Sequence, residues 1–192
     1  WSDPENIIHK WQWAFTGMVL KEVYAMDKIH QRYRLVRKKM DIAEDDTFTT
    51  LSRKMAMVGA KLLVNTISEY LNGKIKPQEH AHGQATFTKL LNKDNGKIDF
   101  NKTAEEIYNL YRGLTPWPGI WTTWNGKRLK FLKIITSEKK LSAGHVFRED
   151  KKIFIGCGKR SIEVLELQLE GKSAMDAKTF LNGYKEFCLA RL

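Results

Sequence analysis

The pair Asn125-Gly126 separates two runs rich in aromatic and β-branched residues, Gly119-Ile120-Trp121-Thr122-Thr123-Trp124 and Lys127-Arg128-Leu129-Lys130-Phe131-Leu132-Lys133-Ile134. A two-residue type I′ connection needs positive φ at both central residues, and Asn-Gly is the pair that best tolerates it, so the stretch predicts an antiparallel hairpin. Further short runs at 144–148, 152–156 and 160–169, with glycines between them, keep the same spacing. The second half therefore reads as a small β-barrel.

Helical signals flank these strands. Thr103-Ala104-Glu105-Glu106 forms a capping box, in which the Thr hydroxyl accepts from the third helical N–H while Glu106 reaches back, and it opens a helix carrying Ile107, Leu110, Tyr111 and Leu114 that stops at Pro116. Asp176 caps a short closing helix. Upstream, Phe48, Leu51, Met55, Val58 and Leu62, with Leu63, Ile67 and Tyr70, recur at three- and four-residue spacing after Glu44, Asp45 and Asp46. They predict one amphipathic helix ending near Asn72-Gly73, its apolar stripe facing a core. The first forty residues show no sustained period and read as strands and loops, with Thr16-Gly17-Met18-Val19-Leu20 and Tyr33-Arg34-Leu35-Val36-Arg37-Lys38-Lys39 as the clearest runs.

Between Gly73 and Gly83 lies a polar stretch with Pro77 and no periodicity, which reads as a linker. His80 and His82 within it have no third ligand at useful spacing, so a metal site is not expected. Cys157 and Cys188 lack both CxxC and CxxH spacing and indicate neither a disulfide framework nor zinc. They fit a reducing compartment, so the expected location is cytoplasmic, with an organellar matrix as the alternative. Lys or Arg interrupts every apolar run well before the roughly 20 residues of a membrane span, so no membrane role is expected. The chain opens on Trp1 with neither a signal peptide's apolar core nor a transit peptide's composition, as expected of a fragment or processed product.

Charge is distributed unevenly. The chain carries a formal +11, with 20 basic against 12 acidic residues from Gly83 onward and 13 against 10 before it. A basic surface attracts phosphate backbones by Coulomb steering and counterion release, which points to nucleic acid; a merely solvated surface is the alternative. Lys127, Arg128, Lys130 and Lys133 cluster on the hairpin strand beside Trp121 and Trp124, a mixture of cations and π faces suited to nucleic acid. Trp117 and Trp121 are expected to fill the barrel core, the lysines to carry function.

Ala85-Thr86-Phe87-Thr88-Lys89, Asp94-Asn95-Gly96-Lys97-Ile98-Asp99-Phe100, Ile107 through Arg112, Thr115-Pro116-Trp117-Pro118-Gly119 and Asn125-Gly126-Lys127-Arg128-Leu129-Lys130 follow one another in a familiar order. So does the block Leu167-Gln168-Leu169-Glu170-Gly171-Lys172-Ser173-Ala174-Met175 followed by Phe180-Leu181-Asn182-Gly183. Together they resemble the C-terminal domain of the methionyl-tRNA formyltransferase family, whose closing motif more usually has Lys-Arg in place of Ser173-Ala174. Related sugar-amine formyltransferases share a PWPG segment but are disfavoured by the second block.

The resemblance implies an α+β, multi-domain chain: residues 1–73 as the C-terminal end of an α/β formyltransferase domain, 74–84 as linker, and 85–192 as an OB-like β-barrel that binds transfer RNA. By motif it marks Lys127, Arg128, Lys130 and Lys172 as RNA-binding, and the residue pattern adds Lys133. The implied partner is initiator methionyl-tRNA or another structured RNA, with no metal and with a monomeric chain unless it joins a larger assembly. The family's co-substrate is 10-formyltetrahydrofolate; no cofactor is expected in this chain.

The formyl-transfer centre of the family is an Asn, a His and an Asp. The Asn and His lie near an HxSxLP segment, which this sequence lacks. Counting back from Met40-Asp41-Ile42 places the Asp-containing turn on His30-Gln31-Arg32-Tyr33-Arg34-Leu35, which has no carboxylate, although Asp27 is a few residues away. Formyl transfer needs an oxyanion stabiliser and a proton-organising carboxylate. The expectation is thus that this chain alone is non-catalytic, with no catalytic residue assigned, and His9 and His30 are read as ordinary histidines. Two functions remain: the RNA-binding portion of a formyltransferase, or a non-enzymatic RNA-binding protein derived from the family, for example one associated with the ribosome.

Overall fold

Residues 22–26, 33–79 and 90–192 are described by the computed structural model, and the chain divides into two units, Trp1–Leu90 and Leu91–Leu192. His9, Thr16-Gly17, Asp27, His30, His80, His82 and the segment 85–89 lie outside the described residues.

In the first unit, β1 (Glu22–Met26), β2 (Tyr33–Lys39) and β3 (Gln78–Glu79) form an antiparallel sheet in the order β1-β2-β3. Tyr33, Arg34 and Leu35, placed by motif counting in a turn, belong to β2, and the short β3 in the stretch read as linker pairs with Tyr33 and Arg34. Helix α1 (Phe48–Leu71) begins where expected. Thr47 caps it reciprocally with Thr50, and the preceding acid Asp46 is spent on a structural contact rather than on the helix dipole. Asp46 is 2% exposed. Its carboxylate accepts from Lys54 Nζ at 2.7 and 2.9 Å, from the Ala43 N–H at 2.9 Å and from the Thr50 hydroxyl at 2.9 Å. Burial pushes this carboxyl upward, but the hydrogen bonds and the Lys54 charge outweigh it and hold it below its ordinary value.

At the other end of α1, Gly73 at φ 70° permits the Lys74 N–H to reach Glu69 O and the Gly73 N–H to reach Tyr70 O, closing the last turn. The apolar stripe is only half used. Leu51 and Met55 are buried with Met40, Ile42, Phe48 and Leu62 against them, whereas Leu63, Ile67, Tyr70 and Leu71 are exposed. Periodicity correctly located the stripe but overstated its burial: a helix of 24 residues spans about 36 Å at 1.5 Å per residue and outruns the cluster that covers its first half.

The second unit has a different character. A one-turn 3₁₀ helix at Lys93–Gly96 and helix α2 (Ala104–Leu114) precede the hairpin of β4 (Ile120–Trp124) and β5 (Lys127–Ser137). β6 (Val146–Glu149), β7 (Lys152–Gly156), β8 (Ser161–Leu169) and the short β9 (Met175–Asp176) complete an antiparallel sheet in the order β4-β5-β8-β7-β6, with β9 on β8. Helix α3 (Ala177–Gly183) and a 3₁₀ turn at Lys185–Leu189 close the chain. The capping box of α2 is formed, with the Thr103 N–H donating to Glu106 Oε2 at 2.8 Å and the Glu106 N–H to the Thr103 hydroxyl at 3.2 Å. Asp176 caps α3 through the Thr179 N–H.

Alternation along the strands sends Leu129, Phe131, Ile153, Ile155, Ile162, Val164 and Leu167 into a core where each is at most 2% exposed. One end of that core is aromatic: the Trp124 ring meets Phe180, Tyr184 and Phe187 at centroid distances of 5.9, 5.6 and 5.0 Å. Edge-to-face contacts of this kind add about 0.5–1.5 kcal/mol each beyond area burial. Register shifts on β5 between Phe131 and Ile134 bend the strand and reset which residues face outward beyond them.

Candidate nucleic-acid interface

The two-residue turn is what builds the basic face. Asn125 at φ 48° and Gly126 at φ 72° adopt the paired positive φ of a type I′ turn. They set the register Trp124↔Lys127, Thr123↔Arg128 and Trp121↔Lys130. With Leu129 and Phe131 pointing into the core, Arg128 and Lys130 share the opposite face of β5, and β8 places Gln168 beside Lys130.

Trp121 lies diagonal to Arg128 on that face. The Arg128 guanidinium sits 4.2 Å from the centroid of its indole, and the indole Nε1–H donates to Lys93 O at 2.8 Å. Trp121 is 8% exposed, buried as expected, with the Arg128 guanidinium and the Lys93–Gly96 turn against it. Gly96 has to be glycine here: a Cβ at that position falls 2.0 Å from Gly119 O and 3.2 Å from Trp121 Cδ1. Trp117, also expected in the core, is instead 42% exposed. It lies between two prolines with no strand to impose a buried face.

Beyond the last ladder pair, Leu129↔Leu169, Glu170 makes a closing exchange with Arg128. Its N–H donates to Arg128 O at 2.9 Å, and its carboxylate Oε2 accepts from the Arg128 N–H at 2.9 Å. The turn that follows is tied by Gln168 Nε2 donating to Lys172 O at 2.9 Å. Arg128, Lys130, Gln168, Leu169, Glu170 and Gly171 line a shallow cavity of about 240 Å³.

The five residues expected to bind RNA therefore do not form one uniform patch. Arg128 and Lys130 share a face and a cavity, with Lys172 in the adjoining turn. Lys127 is exposed at the hairpin tip on the opposite side of the strand from Arg128, and Lys133 lies within the irregular stretch of β5, opposite Glu166. None of the five side chains takes part in an ion pair among the described residues, whereas Lys54, Lys139, Lys152 and Arg160 are each held by a carboxylate. The cations of the hairpin thus make no direct ion pair among the described residues, although Glu170 lines the cavity that Arg128 and Lys130 share. Glu170 was not anticipated from sequence, 42 positions from its partner. The Arg128–Trp121 contact was recoverable, since the Asn-Gly turn fixes the diagonal pairing.

Burial pushes the Cys157 thiol up to about 11, which keeps it protonated and unreactive near neutrality. Among the described residues, no group of three or more His, Cys, Asp or Glu side chains could hold a metal ion, and no helix is long and apolar enough to cross a membrane.

Comparison with known proteins agrees with this architecture. Residues 90–185 match the family described as "Formyl transferase, C-terminal domain". A methionyl-tRNA formyltransferase of Koribacter versatilis is 38% identical over 152 residues, covering 79% of this chain and 49% of that protein. One from Lactococcus lactis subsp. lactis is 39% identical over 146 residues, covering 74% and 46% respectively. The chain thus spans about half the length of these curated relatives. In fold it is similar to HypX from Aquifex aeolicus, solved in complex with tetrahydrofolic acid, with a TM-score of 0.67 at 12% identity over 93% of this chain and 32% of that one. It is also similar to WlaRD, a sugar 3N-formyl transferase, with a TM-score of 0.60 at 17% identity over 86% of this chain and 61% of that one. The chain belongs to the methionyl-tRNA formyltransferase family and contains its formyl transferase C-terminal domain.

Proposed function

We propose that this chain is the transfer-RNA-holding portion of a methionyl-tRNA formyltransferase, with residues 1–73 as the end of the catalytic α/β domain and 85–192 as an OB-like barrel. In this reading the barrel grips initiator methionyl-tRNA while formyl transfer from 10-formyltetrahydrofolate takes place on residues other than those described. The observation that carries it is the basic face of the hairpin, whose cations make no ion pair among the described residues, built from Arg128 and Lys130 beside Trp121 inside the segment that matches the family. Arg and Lys on one strand face, the Arg backed by the π face of a neighbouring strand's Trp121, are a phosphate-binding arrangement that positions RNA more than it reads sequence. The bulged β5 and the nine-residue β8, which together carry the middle of the sheet, support the barrel reading.

The cavity on this face does not suit a folate. At about 240 Å³, with Leu169 as its one apolar wall, it falls below the roughly 300–1,000 Å³ of small-molecule sites and offers nothing to stack on a pteridine ring. No HxSxLP segment occurs in the 192 residues, which supports reading this polypeptide as non-catalytic by itself.

A filter assay with charged initiator transfer RNA and 10-formyltetrahydrofolate tests both parts. The chain is expected to retain the RNA and to form no formyl-methionyl-tRNA. Loss of a single oxyanion donor costs about 10²–10³ in rate, so turnover within about a hundredfold of an intact enzyme contradicts the non-catalytic reading, and failure to retain RNA contradicts the binding one.

A further inference from the structure

We infer that Arg128 is the anchoring phosphate contact of the basic face, and that Trp121 and Glu170 are positioning residues that hold it ready for one backbone phosphate of the RNA. This rests on the reading of that face as an RNA surface. A free arginine samples many rotamers, and ordering it on binding weakens the complex. Here the ordering is already done. The guanidinium lies over the Trp121 ring at 4.2 Å, and the ring is fixed by its bond to Lys93 O. The Arg128 backbone is fixed at both its N–H and its carbonyl by Glu170. A guanidinium lying over a π face has one flat side covered and keeps the N–H donors at its rim, the fork that matches a phosphate.

Glu170 is otherwise out of place. A carboxylate on a face meant for phosphate lowers its attraction, yet Glu170 lines the same cavity as Arg128 and Lys130. Its Oε2 is spent on the Arg128 N–H, where it substitutes for the strand carbonyl that the ladder lacks past Leu169. Its presence follows from holding Arg128, not from touching RNA. Gly171, at φ 76° with nothing within 4 Å of where a Cβ would stand, leaves the cavity mouth open to a phosphate. The other candidate cations lack such a frame: Lys127 is at the exposed tip and Lys133 faces Glu166.

The test uses the full chain and measures affinity for an initiator transfer RNA across a salt series, with melting temperature read beside it. Glu170→Ala is expected to weaken binding several-fold, because the Arg128 N–H loses its acceptor and the strand end that carries the guanidinium loosens, and to have no further effect in an Arg128→Ala background. Glu170→Gln, which keeps an oxygen for the Arg128 N–H, is expected to restore most of the affinity. Arg128→Lys is expected to weaken binding several-fold with an unchanged salt slope, because the charge remains while the fork is lost. Glu170→Ala binding as tightly as the parent or tighter, equal losses in both backgrounds, or full affinity in Arg128→Lys would each overturn the inference while leaving the RNA surface in place. A parent chain that does not bind transfer RNA would overturn the surface itself and this inference with it.

Discussion

The two units make opposite use of their apolar residues. In the second, nearly every inward strand position from Ile120 to Leu169 is sealed, and Trp124, Phe180 and Phe187 close one end of the core. In the first, a 24-residue helix, longer than any other element among the described residues, buries just Leu51, Met55 and Thr66. Met57, Leu63, Val64, Ile67 and Leu71 remain exposed along it. Regular secondary structure is therefore a poor guide to where stability resides. Among the described residues, the packing of α1 is confined to the Leu51–Met55 cluster, beside its caps and the Asp46–Lys54 contact, whereas the second unit's sheet is packed along its length.

The largest expected consequence is independence. A fragment of residues 83–192 is expected to unfold in one cooperative denaturant transition, and a fragment of residues 1–82 to show a broad, low-cooperativity loss of helix signal. A cooperative transition in the shorter fragment breaks the comparison. Single substitutions sharpen it. Phe180→Ala, at a fully buried position in the aromatic cluster, is expected to cost about 3–5 kcal/mol in the second unit. Leu63→Ala, at a site 50% exposed, is expected to change stability by no more than about 0.5 kcal/mol. Urea melts of both variants decide the ordering.

Next in size is Asp46→Asn, expected to destabilise the first unit by about 2 kcal/mol near neutrality, the worth of hydrogen bonds to a buried charged group. Because the Asp46 carboxyl is held below its ordinary value when folded, its contribution is present above the unfolded value near 3.9 and is lost as pH falls through the lower folded value. The gap between parent and variant should therefore close below about pH 4. Hydrogen exchange across α1 as a function of pH reads it directly, and a gap that widens on acidification contradicts the assignment. Smaller than the Asp46 effect is that of Thr103→Ala, which removes the cap of α2 and is expected to cost about 1 kcal/mol.

Local chemistry was the legible part of this sequence. Asn125-Gly126, the Thr103–Glu106 box, the Asp176 cap and the Gly73 stop each act within a few residues, and each is found in place. Partner-dependent features were not legible. The α1 stripe says which face is apolar but not how far a core extends along it, so Leu63, Ile67 and Tyr70 read as buried and are exposed. Trp117 sits in a Pro-flanked turn without strand register, and composition alone suggested burial. At the basic face, sequence identified the cations, but not that Lys127 and Arg128 point to opposite sides of β5, nor that Glu170 closes the ladder onto Arg128. Those relations depend on strand alternation and on residues distant in the chain.

The central claim is that RNA is held through phosphate by the hairpin of the second unit, and the salt dependence of binding tests it most directly. Replacing Lys127, Arg128 and Lys130 together by Ala removes at least the two cations that share the cavity, which should reduce the magnitude of the slope of log K against log salt by roughly two units. Because Arg128→Ala also uncovers the Trp121 ring, the triple variant is expected to lose about 1 kcal/mol of stability, which a urea melt read beside the binding checks. The account predicts that reduced slope with initiator and elongator transfer RNA alike. A slope unchanged in the triple variant, with the parent binding RNA normally, would contradict it.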